Sequence, residues 1–260
     1  MYNKLVIAPQ IVVYQNLFKN SENIINVLEN NNQNSLFTPW RDWYNQGFRR
    51  ECNLIDFYKI DELDSEEIKK EKKYLTEIYD NLQFIIKDYF NEFEKKNGKW
   101  PDYIKKWDSL KIPQQHYYLD YFKWSLEKID NPDIDKIMME YHVDEFFIEN
   151  QFKHKRLVIT INWYLNNDYN GGEICVYDSI SDKVYEYKPN PGDIVVMPST
   201  YPFYHAVKYF NNADRYFLRT FVDYEVNEND HYDWNKIKEI DEEYIKKDLQ
   251  VLKIESLKNV

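Results

Sequence analysis

Three residues of this 260-residue chain have the types and spacing to hold a redox-capable metal ion. His142 and Asp144 stand two apart in Tyr-His-Val-Asp-Glu. Alternate side chains of a strand share a face, so an imidazole and a carboxylate so placed would reach one ion together. The third ligand has to come from a distant strand, and His205, in Pro-Phe-Tyr-His-Ala-Val, ends a segment that should return across a sheet. Two imidazoles and one carboxylate leave three neighbouring positions open on an octahedral iron(II), enough for a bidentate cosubstrate and dioxygen. A His-x-Asp pair is weak by itself, since such triplets arise by chance. His116, His154 and His231 have no partner at ligand spacing and read as surface residues.

The elements that must position these side chains are short strands between residues 115 and 225. Residues 157–165 alternate: Leu157, Ile159, Ile161, Trp163 and Leu165 on one face, Val158, Thr160, Asn162 and Tyr164 on the other, the second polar enough to line a site. Residues 168–172 turn at Gly171 and Gly172, and 174–177 with 184–187 form a hairpin around 179–182. Pro191, Gly192 and Asp193 lead into a strand at 194–197. A last strand, 215–224, places Arg215, Phe217, Arg219 and Phe221 on one face. Many short strands with helices confined to the ends predict a mainly β fold with flanking α-helices, a sandwich or jelly roll in place of a parallel α/β sheet.

Around this core the chain reads as support. Residues 5–17 suggest a strand followed by a short helix that Ser21 could cap. From Ser65, Leu75, Ile78, Tyr79, Leu82, Ile85, Ile86, Tyr89 and Phe93 recur at three-and-four spacing, the stripe of a long amphipathic helix with one core-facing side. A weaker stripe in 233–260 predicts a helical tail that packs on the core or mediates an oligomer. The expected organisation is one folded unit: a support region at 1–114, the core at 115–225 and the tail at 226–260.

Bulk properties narrow the function. With 34 basic against 45 acidic side chains the net charge is −11, which disfavours unspecific nucleic-acid binding. Two distant cysteines suit a reducing cytosol, and no stretch is apolar enough for a signal peptide or membrane span, so a cytoplasmic protein with no membrane partner is expected.

The runs LVITINWYLNNDYNGGE, KPNPGDIVVMPS and HAVKYFNNADRYFLRTF, in this order after the His-x-Asp pair, resemble the prolyl-4-hydroxylase-like branch of the Fe(II)/2-oxoglutarate-dependent oxygenases over roughly residues 115–225. The resemblance implies a double-stranded β-helix, the cupin-like jelly roll, with His142, Asp144 and His205 holding iron. It also implies that Tyr164, in the strand end Tyr-Leu-Asn, and Arg215, ten residues after His205, bind the distal carboxylate of 2-oxoglutarate. An Arg fork matches a carboxylate in two-point fashion, and a Tyr hydroxyl adds a neutral donor. Arg219, four residues on and on the same strand face, could instead take that carboxylate or bind an acidic substrate; spacing favours Arg215. Asn162 belongs to the polar face beside them, and Tyr121 is a further candidate pocket residue. The family's Tyr-x-x-Gly approach to the first His is not evident in KWSLEKIDNPDIDKIMMEYHVD, which suggests an insertion between Trp124 and Met138.

The implied reaction uses dioxygen to decarboxylate 2-oxoglutarate to succinate and CO2 while a C–H bond is hydroxylated, with ascorbate as reductant. Family analogy points to a peptidyl proline, but the same fold serves other side chains and small molecules. The aromatic segments at 40–43 and 116–124 could line a peptide entrance or be core. Two rivals remain. One is a non-catalytic sensor that binds 2-oxoglutarate or a metal, and the other a zinc or manganese hydrolase, for which Tyr164 and Arg215 would have no purpose.

Overall fold

The computed structural model describes residues 2–8, 10–30, 35–43, 46–53, 65–96, 114–115, 118–129, 133–142, 144, 156–178, 181–198 and 203–225. The tail at 226–260 and His116, His154 and His231 lie outside them. The strands are β1 (Asn3–Ala8), β2 (Ile11–Gln15), β3 (Arg41–Trp43), β4 (Gly47–Asn53), β5 (Gln114–Gln115), β6 (Tyr118–Trp124), β7 (Ile137–His142) and β8 (Arg156–Tyr164). They continue with β9 (Asn170–Gly171), β10 (Ile174–Asp178), β11 (Lys183–Tyr187), β12 (Ile194–Pro198), β13 (Phe203–Lys208), β14 (Phe210–Asn211) and β15 (Arg215–Glu225). Helix α1 (Ser21–Asn30) follows β2, and α2 (Glu66–Lys96) follows β4.

Two antiparallel sheets make the core. The larger runs β1-β2-β12-β8-β15-β6-β4-β3, with β5 paired to β15, and the smaller runs β11-β10-β13-β7. Apart from the β10–β11 hairpin, successive strands among β6, β7, β8, β10, β11, β12, β13 and β15 alternate between the sheets, so these eight wind as a double-stranded β-helix. The jelly roll expected from the strand pattern is the fold found.

Apolar surface is buried on both faces of the large sheet. Its outer face meets the helices: Ile159, Ile161, Trp163 and Leu165 share a cluster with Ile24, Leu28, Leu75, Ile78, Leu82, Ile85 and Tyr89. The buried positions of α2 keep the spacing of the sequence stripe, and the helix starts where Ser65 caps it, its Oγ accepting from the Ile68 N–H at 3.4 Å. The inner face meets the small sheet through Phe122, Trp124, Tyr164, Ile174, Val176, Val195, Met197, Phe203 and Phe217.

Two expectations for the N-terminal segment are corrected. The single strand expected at 5–17 is a hairpin, β1 with β2, turning through Gln10 at φ 68°. A hydrophobic run cannot report a reversal when the residues on either side of the turn are equally apolar. Helix α1 takes its first backbone bond, Ile24 N–H to carbonyl, from Asn20, so Asn20 occupies the cap position assigned to Ser21. Among the described residues, no helix is long and apolar enough to cross a membrane.

Candidate active site

Strand pairing brings the distant histidine to the His-x-Asp motif. His142 and His205 face each other across the β7–β13 ladder, their rings 4.2 Å apart between centroids. Asp144 stands just beyond the end of β7. Its Oδ1 lies 3.6 Å from His142 Nε2 and its Oδ2 3.5 Å from His205 Nε2, and the ligand atoms of all three residues fall within 4.8 Å of one another.

Neighbours fix the orientation of these groups. The His142 Nδ1 is 2.7 Å from the Glu140 carbonyl oxygen. A carbonyl only accepts, so Nδ1 carries the proton and Nε2 keeps its lone pair toward Asp144 and His205. The Thr160 hydroxyl donates to Asp144 Oδ2 at 2.8 Å, holding the carboxylate from the large sheet. Burial pushes the His205 pKa down to about 4, leaving a neutral imidazole at physiological pH. Burial alone would raise Asp144, but the adjoining histidines and Arg219 overcome it and hold the carboxyl well below its usual range. Burial likewise lowers His142, and the Asp144 carboxylate and Glu140 carbonyl reverse this, leaving it above its ordinary value.

The triad opens into a pocket between the sheets. The polar face of β8, Thr160, Asn162 and Tyr164, lines one wall, and Arg215, Phe217 and Arg219 of β15 line the next. Arg215 is 1% exposed. Its Nε donates to the Tyr169 hydroxyl at 3.3 Å, and its guanidinium carbon lies 4.7 Å from the Trp124 ring centre and 5.2 Å from that of Tyr164. No carboxylate among the described residues pairs with it, and its Nη2 has no hydrogen-bond partner among them. An unpaired buried guanidinium is costly unless the site is built for an incoming anion. Burial pushes the Tyr164 phenol up, so it stays protonated as a donor.

Gly172 makes this seat possible. At φ +72° it occupies the left-handed region, and a Cβ there would come within 2.7 Å of the Tyr169 ring that borders Arg215.

Not every expected residue reaches the pocket. Tyr121 is fully buried in the outer core, with its hydroxyl 3.2 Å from Glu29 Oε1. On β6 the residues facing the pocket side are Asp120, Phe122 and Trp124, and strand alternation turns Tyr121 away. Of the aromatic segments, Trp40 packs beside Tyr121, Trp43 packs on Phe122, and Trp124 lines the pocket. Sequence reasoning put Thr160 on a face that could line a site and Trp124 in a segment that could line an entrance, but singled out neither, and gave Tyr169 no role. Thr160 was legible from its parity with Asn162, whereas Tyr169 comes from a loop that only the tertiary fold brings to Arg215.

Residues 136–223 match the sequence profile of the 2OG-Fe(II) oxygenase superfamily. A PKHD-type hydroxylase of Prochlorococcus marinus (strain MIT 9312) is 37% identical over 79 residues, which cover 30% of this chain and 33%, about one third, of that relative. Among solved structures, a 2OG-Fe(II) oxygenase family oxidoreductase from Burkholderia pseudomallei aligns over 84% of this chain and 85% of its own at 10% identity and TM-score 0.48. A prolyl 4-hydroxylase from Phytophthora capsici aligns over 82% and 58% at 13% identity and TM-score 0.49. Both histidines, the aspartate and the two pocket arginines lie inside the matched residues, so it is the site-bearing core of this chain that is similar to the 2OG-Fe(II) oxygenase superfamily.

Proposed function

We propose that this chain is an Fe(II)- and 2-oxoglutarate-dependent dioxygenase that hydroxylates an unactivated C–H bond, with a peptidyl proline as the foremost substrate class. The observation that supports it is the union, in one pocket, of a His2Asp ligand set and a buried arginine with no acidic partner among the described residues. His142, Asp144 and His205 would hold the iron on one side, leaving the pocket side open. Arg215 with Tyr164 would bind the distal carboxylate of 2-oxoglutarate, the guanidinium supplying charge and the phenol a hydrogen bond. Iron(II) bound there supplies dioxygen activation coupled to decarboxylation of 2-oxoglutarate to succinate and CO2. Trp124, Phe217, Ile174 and Met197 keep water from the cosubstrate end of the pocket. The peptidyl-proline assignment takes its support from the names of the similar hydroxylases and from the early resemblance, and ascorbate as reductant from the latter alone.

Anaerobic titration of iron(II) and 2-oxoglutarate tests the reading through the weak visible charge-transfer band of the complex. The band is expected in the wild type and is lost in His142→Ala and Arg215→Ala. No band at saturating iron would overturn the assignment, and a band without succinate formation under air, across peptide substrates, would identify a 2-oxoglutarate-binding protein in its place.

A further inference from the structure

Arg219 is a second cation in the same pocket, and cosubstrate binding at Arg215 leaves it unexplained. The two arginines share one face of β15 with Phe217 between them, four residues or about 13 Å apart along the strand. Arg215 marks the closed end. Arg219 lies nearer the triad: it pairs across the ladder with Asn162, two residues from Thr160, the residue that holds Asp144. Its positive charge bears on Asp144, His142 and His205 alike.

The carboxylate nearest Arg219 is shared with a second arginine. Asp120 Oδ1 takes short contacts from Arg49, at 2.7 Å and 3.0 Å, while its Oδ2 accepts a single long bond from Arg219 Nη2 at 3.5 Å. Glu51, the other acid of this cluster, pairs with Arg49 and Arg41. Among the described residues, three guanidiniums thus face two carboxylates. The Arg219 Nε and the Asn162 Oδ1 are buried without hydrogen-bond partners among the described residues. The Arg219 guanidinium carbon sits 4.7 Å from the Phe122 ring centre and 4.9 Å from that of Phe221, so the aromatic rings hold it in place without neutralising it. A fixed cation beside a site for a divalent cation is unfavourable unless an anion lies between them.

We propose that Arg219, with Asn162 beside it, is a substrate-selecting subsite for a carboxylate, so that the molecule hydroxylated by this protein carries an acidic group close to the reacting carbon. This rests on the oxygenase reading and deepens it. The carboxylate would accept from the Arg219 fork and from the Asn162 amide, whose nitrogen is a donor once the side chain orients to the ligand. A peptide with an acidic residue next to the target, or a small molecule with a free carboxylate, supplies the same chemistry.

The test is calorimetric binding, under argon, to the protein loaded with manganese(II) and 2-oxoglutarate. The probes are two acid and amide pairs of equal shape, N-acetylproline with N-acetylprolinamide and N-acetylglutamate with N-acetylglutamine. At least one acid is expected to bind about tenfold or more tightly than its amide, as one charge-assisted contact allows. That preference disappears in Arg219→Gln and returns in part in Arg219→Lys, while both variants keep 2-oxoglutarate affinity within about threefold. Thermal melting confirms that the variants are folded. The inference is overturned if no acid is preferred, or if the preference survives Arg219→Gln. Loss of 2-oxoglutarate affinity in Arg219→Gln would overturn it too, because Arg219 would then be the cosubstrate residue. A wild-type protein that takes up no 2-oxoglutarate fails the oxygenase reading itself, a result distinct from uptake without acid preference.

Discussion

On one side of β8, Ile159, Ile161 and Trp163 join the helices in a cluster of the outer core. On the other, Thr160, Asn162 and Tyr164 line the pocket beside the triad and two arginines. Both sides are buried, every one of these six residues being 5% exposed or less. They differ in what burial accomplishes. The outer face removes apolar surface from water and so stabilises the sheet. The pocket face buries polar groups, among them the Asn162 Oδ1 with no hydrogen-bond partner among the described residues, a cost recovered when a ligand completes it. One strand therefore separates stability from chemistry by parity alone, and substitutions on its two faces should fail in different ways.

The largest effect is expected at the triad. Asp144→Ala should weaken manganese(II) binding on the order of a thousandfold, since each ligand carries a large share of the metal-binding free energy, and should leave the thermal melt cooperative. Manganese titration followed by electron paramagnetic resonance measures it, and an unfolded variant would erase the proposed separation of faces. Next comes the outer face: Leu82→Ala, opposite β8 in the helix, should lower unfolding free energy by about 2–5 kcal/mol in urea denaturation. It should leave 2-oxoglutarate affinity nearly unchanged.

Arg215→Gln should reduce 2-oxoglutarate affinity by roughly 100-fold, the worth of about two charge-assisted hydrogen bonds. Equal losses in Arg215→Gln and Arg219→Gln would break the division of labour between the two cations. Thr160→Val removes the hydroxyl that steadies Asp144, and about a tenfold loss of metal affinity is expected, with little change in fold stability.

The smallest effect is in pH. Ligands must be deprotonated to bind metal, and of the three only His142 has a pKa raised above its ordinary 6.5, whereas His205 is pushed down to about 4. Metal affinity should then fall about tenfold per pH unit below the His142 pKa, measurable by manganese titration at several pH values. The metal-free fold carries a separate acid-sensitive signature from His205. Its unfolded form binds a proton that the native form refuses between about pH 6.5 and 4, so this group's contribution to stability declines on acidification through that window.

Several features were legible in the chain itself. The alternation at 157–165 assigned β8 its two faces, the three-and-four stripe fixed which side of α2 is buried, and the His-x-Asp spacing placed two ligands at one strand end. These are local periodicities, which the geometry of one strand or helix imposes whatever lies around it. The hairpin at Gln10 was hidden because the strand residues on either side of the turn have the same apolar character. Tyr121 was misplaced because its parity on β6 depends on a register that the ladders with β4 and β15 set. His205 could be nominated from its segment, but its approach to His142 is a matter of β7–β13 pairing. The contact of Tyr169 with Arg215, and the competition of Arg49 for Asp120, join residues far apart in sequence. Residue type and spacing determined which groups this protein has for chemistry. Only the tertiary structure decided which of them share a pocket and which charge is left over, because distance through space, set by sheet winding, governs both coordination and electrostatics.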